Sequence, residues 1–267
     1  MSLPAASTTS TVLITGASSG IGADLARELA GRGHNVTLVA RREPELRALA
    51  GELAAAHGVR ADVHVSDLGD TDARADLVAA LQAGVLEVVG VCNNAGYGTI
   101  GSFHELDLER EATMVRLNVE ALHELTGAFL PRMVERGSGA VLNVASTAAF
   151  QPLPGFATYA ATKAFVASFS EAVHSELADT GVSCTTLSPG PTRTEFGERA
   201  GIGGVAKRAD AIFMSASDVA RQAVEGMVAG RRTVVPGLSN KASALGGRFV
   251  PRSVLLPVAR TVMGRRG

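Results

Sequence analysis

The sequence predicts an α/β fold: a single-domain, doubly wound parallel sheet of about seven strands with helices on both faces. Three observations lead there. Short β-branched runs alternate with longer Ala/Leu-rich stretches along the chain, and parallel strands need crossovers of the length those stretches supply. In Val12 to Thr15 and Leu86 to Cys92 the apolar residues run on instead of alternating, as strands covered on both faces do. The first of these runs leads directly into a glycine-rich turn and then a helical pattern.

Size agrees with one core. The chain has 267 residues, 46% hydrophobic and 19% charged, enough for one sizeable core and too little for two ordinary domains with a linker. Residues 1–10 are expected to be a mobile N-terminus and 11–267 one domain.

In chain order, the strands are Val12 to Thr15, Asn35 to Ala40, Asp62 to Val65, Leu86 to Cys92, Ala140 to Ala145, Val182 to Leu187 and Thr233 to Val235. The helices are Gly22 to Ala30, Glu43 to Ala56, Thr71 to Ala83, Asp107 to Glu135, Tyr159 to Asp179 and Ser217 to Ala229. The Gly-rich stretch Phe196 to Met214 interrupts the pattern just past a strand end and reads as a flap or a surface loop. The tail 236–267 matches no motif.

Composition removes several function classes. Lys+Arg 25 against Asp+Glu 26 gives a net charge of -1, so no global field draws the chain to nucleic acid or to an anionic membrane. The two cysteines, Cys92 and Cys184, lie in strand-like runs, and neither a disulfide framework nor a zinc site is expected. No metal is expected, since the six histidines form no ligand-spaced cluster. No apolar stretch reaches the ~18–20 residues that span a bilayer, and residues 1–10 lack the pattern of a signal peptide. A cytoplasmic location is the expectation.

The first strand runs into Thr15-Gly16-Ala17-Ser18-Ser19-Gly20-Ile21-Gly22 and then a helix. Glycines there permit the sharp turn, let backbone approach a pyrophosphate and let the helix pack close to the sheet, while the helix N-terminus offers N–H groups and partial positive charge. The spacing is Gly-x-x-x-Gly-x-Gly, not the Gly-x-Gly-x-x-Gly of the usual dinucleotide fingerprint. With Asn93-Asn94-Ala95-Gly96 after the fourth strand and Tyr159-Ala160-Ala161-Thr162-Lys163 later, the chain closely resembles the short-chain dehydrogenase/reductase family, from about Thr11 to Val235.

That resemblance implies a Rossmann-type fold and a cofactor site made of Gly16, Ser18, Ser19, Gly20, Ile21 and Gly22, with Asn94, Ala95 and Gly96 by the adenosine ribose. It puts Asp67 and Leu68 beside the adenine. Pro189, Gly190, Thr192 and Thr194 would form the nicotinamide loop, with Tyr159 and Lys163 also touching the cofactor. At the end of the second strand an acidic residue would bind a ribose 2′-hydroxyl, whereas Arg pairs with a 2′-phosphate. The chain has Arg41 and Arg42 there, so NADP(H) is favoured over NAD(H). One departure is Ser19, where many NADP members of the family carry a basic residue.

The reaction centre is carried by scarce residue types. The chain has two Tyr and three Lys, so a Tyr followed four residues later by a Lys arises by accident with a probability of about 2%. Positions i and i+4 share one helix face, which lets Lys163 approach the Tyr159 hydroxyl and favour its phenolate. Ser146 precedes Tyr159 at the family's usual separation, and Asn118 matches its helix asparagine. By resemblance, Tyr159 is the general acid/base, Lys163 tunes it, Ser146 binds the substrate oxygen and Asn118 supports Lys163. Read singly, Ser146 is equally a helix cap and Asn118 a buried helix polar group.

The expected activity is NADP(H)-dependent interconversion of a ketone or aldehyde with an alcohol. Alternatives are an NAD-dependent alcohol dehydrogenase, a β-ketoacyl carrier reductase and, more remotely, a non-catalytic NADP-sensing regulator. Tyr97, Phe150, Gln151, Leu153, Phe156 and Phe196 are expected beside the substrate, with Ile212, Phe213 and Met214 closing over them. This apolar lining suits an aliphatic, alicyclic or aromatic body, while Arg193 and Arg199 leave a carboxylate or thioester carrier open. A homodimer or homotetramer is expected by resemblance. The prolines at 251 and 257 argue against a membrane-surface helix in the tail.

Overall fold

The structure is a computed structural model that describes residues 3–199 and 213–264. Seven parallel strands form one sheet in the order β3-β2-β1-β4-β5-β6-β9. They are β1 (Ser10–Thr15), β2 (Asn35–Ala40), β3 (Ala61–Val65), β4 (Glu87–Asn93), β5 (Gly139–Val144), β6 (Val182–Leu187) and β9 (Thr233–Val234). Two short strands, β7 (Thr192–Arg193) and β8 (Met214–Ser215), pair in parallel apart from the main sheet.

The chain leaves β1 toward β2 and β3, then crosses back to place β4 on the other side. That reversal opens a crevice at the carboxyl ends of β1 and β4, where ligands bind in open α/β sheets. Side chains alternate across β1. Val12 and Ile14 join the core with α1 (Gly20–Gly31) and α2 (Glu43–His57), whereas Leu13 joins the core with α3 (Thr71–Gln82), α5 (Ala121–Arg136) and α6 (Ala157–Glu176). With both faces covered, β1, β5 and β6 are buried throughout, and each fully buried Leu or Ile contributes about 1.5–3 kcal/mol.

The expected helix Asp107 to Glu135 is divided: α4 (Leu108–Val115), a π turn (Arg116–Glu120), then α5. The π turn contains Asn118, 1% exposed, whose amide bridges to a neighbouring loop, so a tertiary contact overrides the simple periodicity. Leu3, in the leading segment, is buried in the core and reaches the space beside Gly90. After α7 (Ala216–Val228) and β9, the tail forms α8 (Leu238–Phe249) and α9 (Arg252–Gly264), with Pro257 inside α9. Within the expected flap, residues 200–212, Ile212 included, lie outside the described residues. Among the described residues no helix is long and apolar enough to cross a membrane.

Candidate active site

A cleft of about 1020 Å³ opens at the carboxyl ends of β1, β4, β5 and β6. Its floor is the turn between β1 and α1. Gly16 and Gly20 have φ of +65° and +56°, a region that glycine enters without steric cost. Gly22 is needed for space: a Cβ there would lie 2.3 Å from the Gly16 carbonyl oxygen. At α3 and α4 an aspartate, Asp70 or Asp107, caps the first backbone N–H groups. At α1 the capping position is Ser19, and its side chain makes no such bond. The α1 N-terminus therefore has no anionic cap of its own and fits a phosphate-bearing ligand. Ser18, Ser19, Gly20 and Ile21 line the cleft with Gly16, and Gly22 packs beneath them.

Asn94 fastens this turn to β4. Its Nδ2 donates to the Thr15 carbonyl oxygen at 2.9 Å, while Thr15 Oγ1 accepts from the backbone N–H groups of Asn94 and Ala95 at 2.9 and 3.0 Å. Gly96 follows, and a Cβ on it would meet Asn118 Oδ1 at 2.8 Å and Lys163 Nζ at 3.5 Å. Leu68 is buried at the cleft wall and Asp67 is exposed there. The loop bearing them is held by Arg74, 1% exposed, which donates to the Leu68 carbonyl oxygen at 2.9 Å and to Glu124 at 2.6 and 3.0 Å.

Arg41 and Arg42 reach the cleft mouth with carboxylates already close. Arg41 Nη1 lies 3.5 Å from Asp67 Oδ2. Arg42 donates to Ser18 Oγ at 3.0 Å and Ser19 Oγ at 2.8 Å, and pairs with Glu45 at 3.3 Å and Glu195 at 3.2 Å.

On the opposite wall, Ser146 follows the end of β5, and its Oγ accepts from the Ala148 backbone N–H at 3.1 Å. That bond uses one of the oxygen's two lone pairs, and the O–H is the group that can donate toward the cleft. Tyr159 stands near the start of α6, its ring between Phe156 and Phe196, with centroids 5.8 and 5.4 Å away. One turn later Lys163, 5% exposed, donates from Nζ to the Val144 carbonyl oxygen at 2.7 Å and sits 5.9 Å from the Tyr159 ring centroid.

The electrostatics differ from the expectation that Lys163 sets the Tyr159 phenol low. Burial pushes Tyr159 above its ordinary value, opposed in part by a hydrogen bond with Ser146. Burial also lowers Lys163 to about 8, because a desolvated ammonium is disfavoured. Asn118 stands behind this pair. Its Oδ1 accepts from Tyr97 N at 3.1 Å, and its Nδ2 donates to Tyr97 O at 3.0 Å and Thr162 Oγ1 at 3.1 Å.

Pro189, Gly190, Thr192 and Thr194 cross above the glycine turn. The Pro189 carbonyl oxygen accepts from Thr147 N at 2.9 Å, and a Cβ on Gly20 would meet the Thr194 methyl at 3.0 Å. Of the residues expected beside the substrate, Tyr97, Gln151, Leu153, Phe156, Phe196 and Phe213 line the cleft. Phe150 lies beside Gly247 of α8 instead, and Met214 Sδ accepts from Asn240.

Arg110, Thr113 and Glu195 line the cleft and had not been singled out. Arg110 and Thr113 lie three residues apart on one face of α4, before the π turn, and that helical spacing is the signal that could have found them. Glu195 had only its position beside Thr194 to mark it.

Comparison with known proteins gives a consistent picture. The family model described as short chain dehydrogenase matches residues 10–203. A sulfoacetaldehyde reductase of Chromohalobacter salexigens is 38% identical over 223 residues, 80% of this chain and 86% of its own. A solved short-chain dehydrogenase from Sphingobium yanoikuyae in complex with NADPH is 35% identical with a TM-score of 0.81, covering 93% of this chain and 95% of that one. The bulky-bulky ketone specific alcohol dehydrogenase from Comamonas testosteroni is 29% identical with a TM-score of 0.77, covering 98% of this chain and 96% of that one.

Proposed function

This chain belongs to the short-chain dehydrogenase/reductase family, and from that membership we propose that it interconverts a ketone or aldehyde with an alcohol, using NADP(H) in preference to NAD(H). The observation that carries the reading is the convergence of Ser146, Tyr159 and Lys163 on one wall of a cleft whose floor is a glycine turn opening a helix. When bound, the nicotinamide supplies or accepts the hydride.

The remaining chemistry falls to this chain. In reduction, Tyr159 gives its proton to the substrate oxygen, and Ser146 donates a hydrogen bond to the same oxygen as charge develops on it. A phenol whose pKa is raised by burial keeps that proton at neutral pH, which suits the reducing direction. Lys163 supports Tyr159 from one turn along α6 and would hold the ribose of the cofactor. Asn118 fixes the Tyr97 loop and Thr162 beside Lys163, a positioning role. Gly16, Ser18, Ser19, Gly20 and Ile21 would receive the pyrophosphate, Gly22 the close approach of α1, and Arg41 and Arg42 a 2′-phosphate. Asp67, Leu68, Asn94, Ala95 and Gly96 would enclose the adenosine, and Pro189, Gly190, Thr192 and Thr194 the nicotinamide.

Leu153, Phe156, Phe196 and Phe213, which line the cleft with Tyr159, favour a substrate with an apolar body. The test is NADPH consumption against a panel of ketones, aldehydes and diketones, with NADH in parallel and sulfoacetaldehyde as a small anionic member. Turnover of bulky apolar ketones with NADPH is the expected result. Turnover confined to sulfoacetaldehyde would overturn the substrate class, and an equal or greater rate with NADH would overturn the cofactor preference.

A further inference from the structure

Each of the two arginines at the end of β2 faces a carboxylate, and one of these contacts spans the cleft. Asp67 meets Arg41 at 3.5 Å, and Glu45 meets Arg42 at 3.3 Å from the first turn of α2, which Arg42 precedes. Glu195 is different. It belongs to the loop after β7, far away in sequence, and its Oε2 lies 3.2 Å from Arg42 Nη2. Its neighbours in the chain are Thr194, whose methyl lies over Gly20, and Phe196, whose ring packs on Tyr159.

A guanidinium has five N–H donors in a fixed fork. In Arg42, Nε donates to Ser18, Nη1 to Glu45, and Nη2 to Ser18 and Ser19 with Glu195 also beside it, so a phosphate that takes the Nη2 edge must replace a present partner. Ser18 and Ser19 belong to the glycine turn, and Glu45 is fixed on α2. The Arg42 and Glu195 side chains are 30% and 46% exposed, and ion pairs of that exposure are weak enough to exchange. A carboxylate that stayed beside an incoming phosphate dianion would repel it.

We propose that Glu195 is a specificity-determining residue: its carboxylate holds the position on Arg42 that the 2′-phosphate of NADP(H) would take. NADP(H) must displace it, and NAD(H), lacking that phosphate, need not. The inference rests on the reading of Arg41 and Arg42 as the 2′-phosphate site. It makes the preference for NADP(H) smaller than two arginines alone would give, and it ties the phosphate end of the cofactor to the loop that carries Phe196 against Tyr159.

The test is calorimetric binding of 2′,5′-ADP and 5′-AMP, which differ by the 2′-phosphate and need no turnover, to wild-type protein and to Glu195→Gln. The substitution keeps the side-chain shape at a half-exposed position. The variant is expected to bind 2′,5′-ADP about fivefold more tightly than wild type, by loss of the competing ion pair and of like-charge repulsion. Its affinity for 5′-AMP should stay within about twofold, since that ligand meets neither effect. Unchanged or weaker 2′,5′-ADP binding by the variant, in a protein that still prefers 2′,5′-ADP to 5′-AMP, overturns the role of Glu195 and leaves the arginine site standing. Wild-type protein that binds the two ligands equally overturns the arginine site and this inference with it.

Discussion

Lys163 Nζ donates to the Val144 carbonyl oxygen at 2.7 Å, tying α6 to the end of β5 two residues before Ser146. The contact brings two separate segments of the candidate site into one register. It also holds an amine where burial opposes its charge, and this has a measurable consequence.

The Lys163 amine is lowered from 10.5 to about 8 in the folded protein. A group that binds its proton less tightly when folded makes stability rise with pH between the two values. Below about pH 8 the cost of the buried ammonium is present in full, and it is relieved as pH climbs from about 8 toward 10.5. Urea unfolding at pH 7.0 and 9.5 of wild type and Lys163→Met checks this, the two pH values being about one unit either side of the folded pKa or more. Wild type should gain stability relative to the variant at the higher pH, and a parallel response of the two proteins would contradict it.

Tyr159→Phe removes the proton donor and keeps the ring between Phe156 and Phe196. General acid–base groups contribute about 10²–10⁴-fold, and kcat should fall by that order while the Kd for NADPH, followed by fluorescence, stays close to wild type. Retained turnover would assign the proton to another group.

The pH profile should separate the two directions. Because burial raises the Tyr159 phenol, alcohol oxidation, which needs the phenolate, should keep increasing with pH beyond neutrality. Ketone reduction, which needs the neutral phenol, should be flat through neutral pH and decline only in the alkaline range. Profiles of kcat/KM in both directions decide it, and an oxidation rate already level at neutral pH would argue for a lowered phenol.

Arg41→Asp places a carboxylate where a 2′-phosphate would lie and beside Asp67. The ratio of kcat/KM for NADPH over NADH should drop by about tenfold or more, as expected for an attraction turned into a repulsion. An unchanged ratio would remove Arg41 from the cofactor site.

Gly22→Ala tests the cradle. The added Cβ would stand 2.3 Å from the Gly16 carbonyl oxygen and 2.5 Å from Asn94 Nδ2, so backbone must move. Overpacking of this kind costs about 1–3 kcal/mol. A lower urea midpoint together with weakened NADPH binding is expected, and an unaltered protein would show that the turn is not tightly packed.

What the sequence determined by itself was what depends on short spacing. The strand runs and crossovers imply the seven-stranded sheet. Glycines at 16, 20 and 22 imply the turn, because positive φ and close approach are requirements of the residue itself. Tyr159 and Lys163 share a helix face because 3.6 residues make a turn. What only the tertiary structure decided joins residues far apart in the chain. Asn118 leaves the regular helix for a π turn because its amide is taken up by Tyr97 and Thr162. Arg42 reads in sequence as a partner for a 2′-phosphate, and the fold sets the Glu195 carboxylate against it from a loop far along the chain. The local pairing of Tyr159 with Lys163 suggested a lowered phenol, but desolvation against the cleft wall raises it, since desolvation is a property of everything packed around a group and not of its neighbours in sequence.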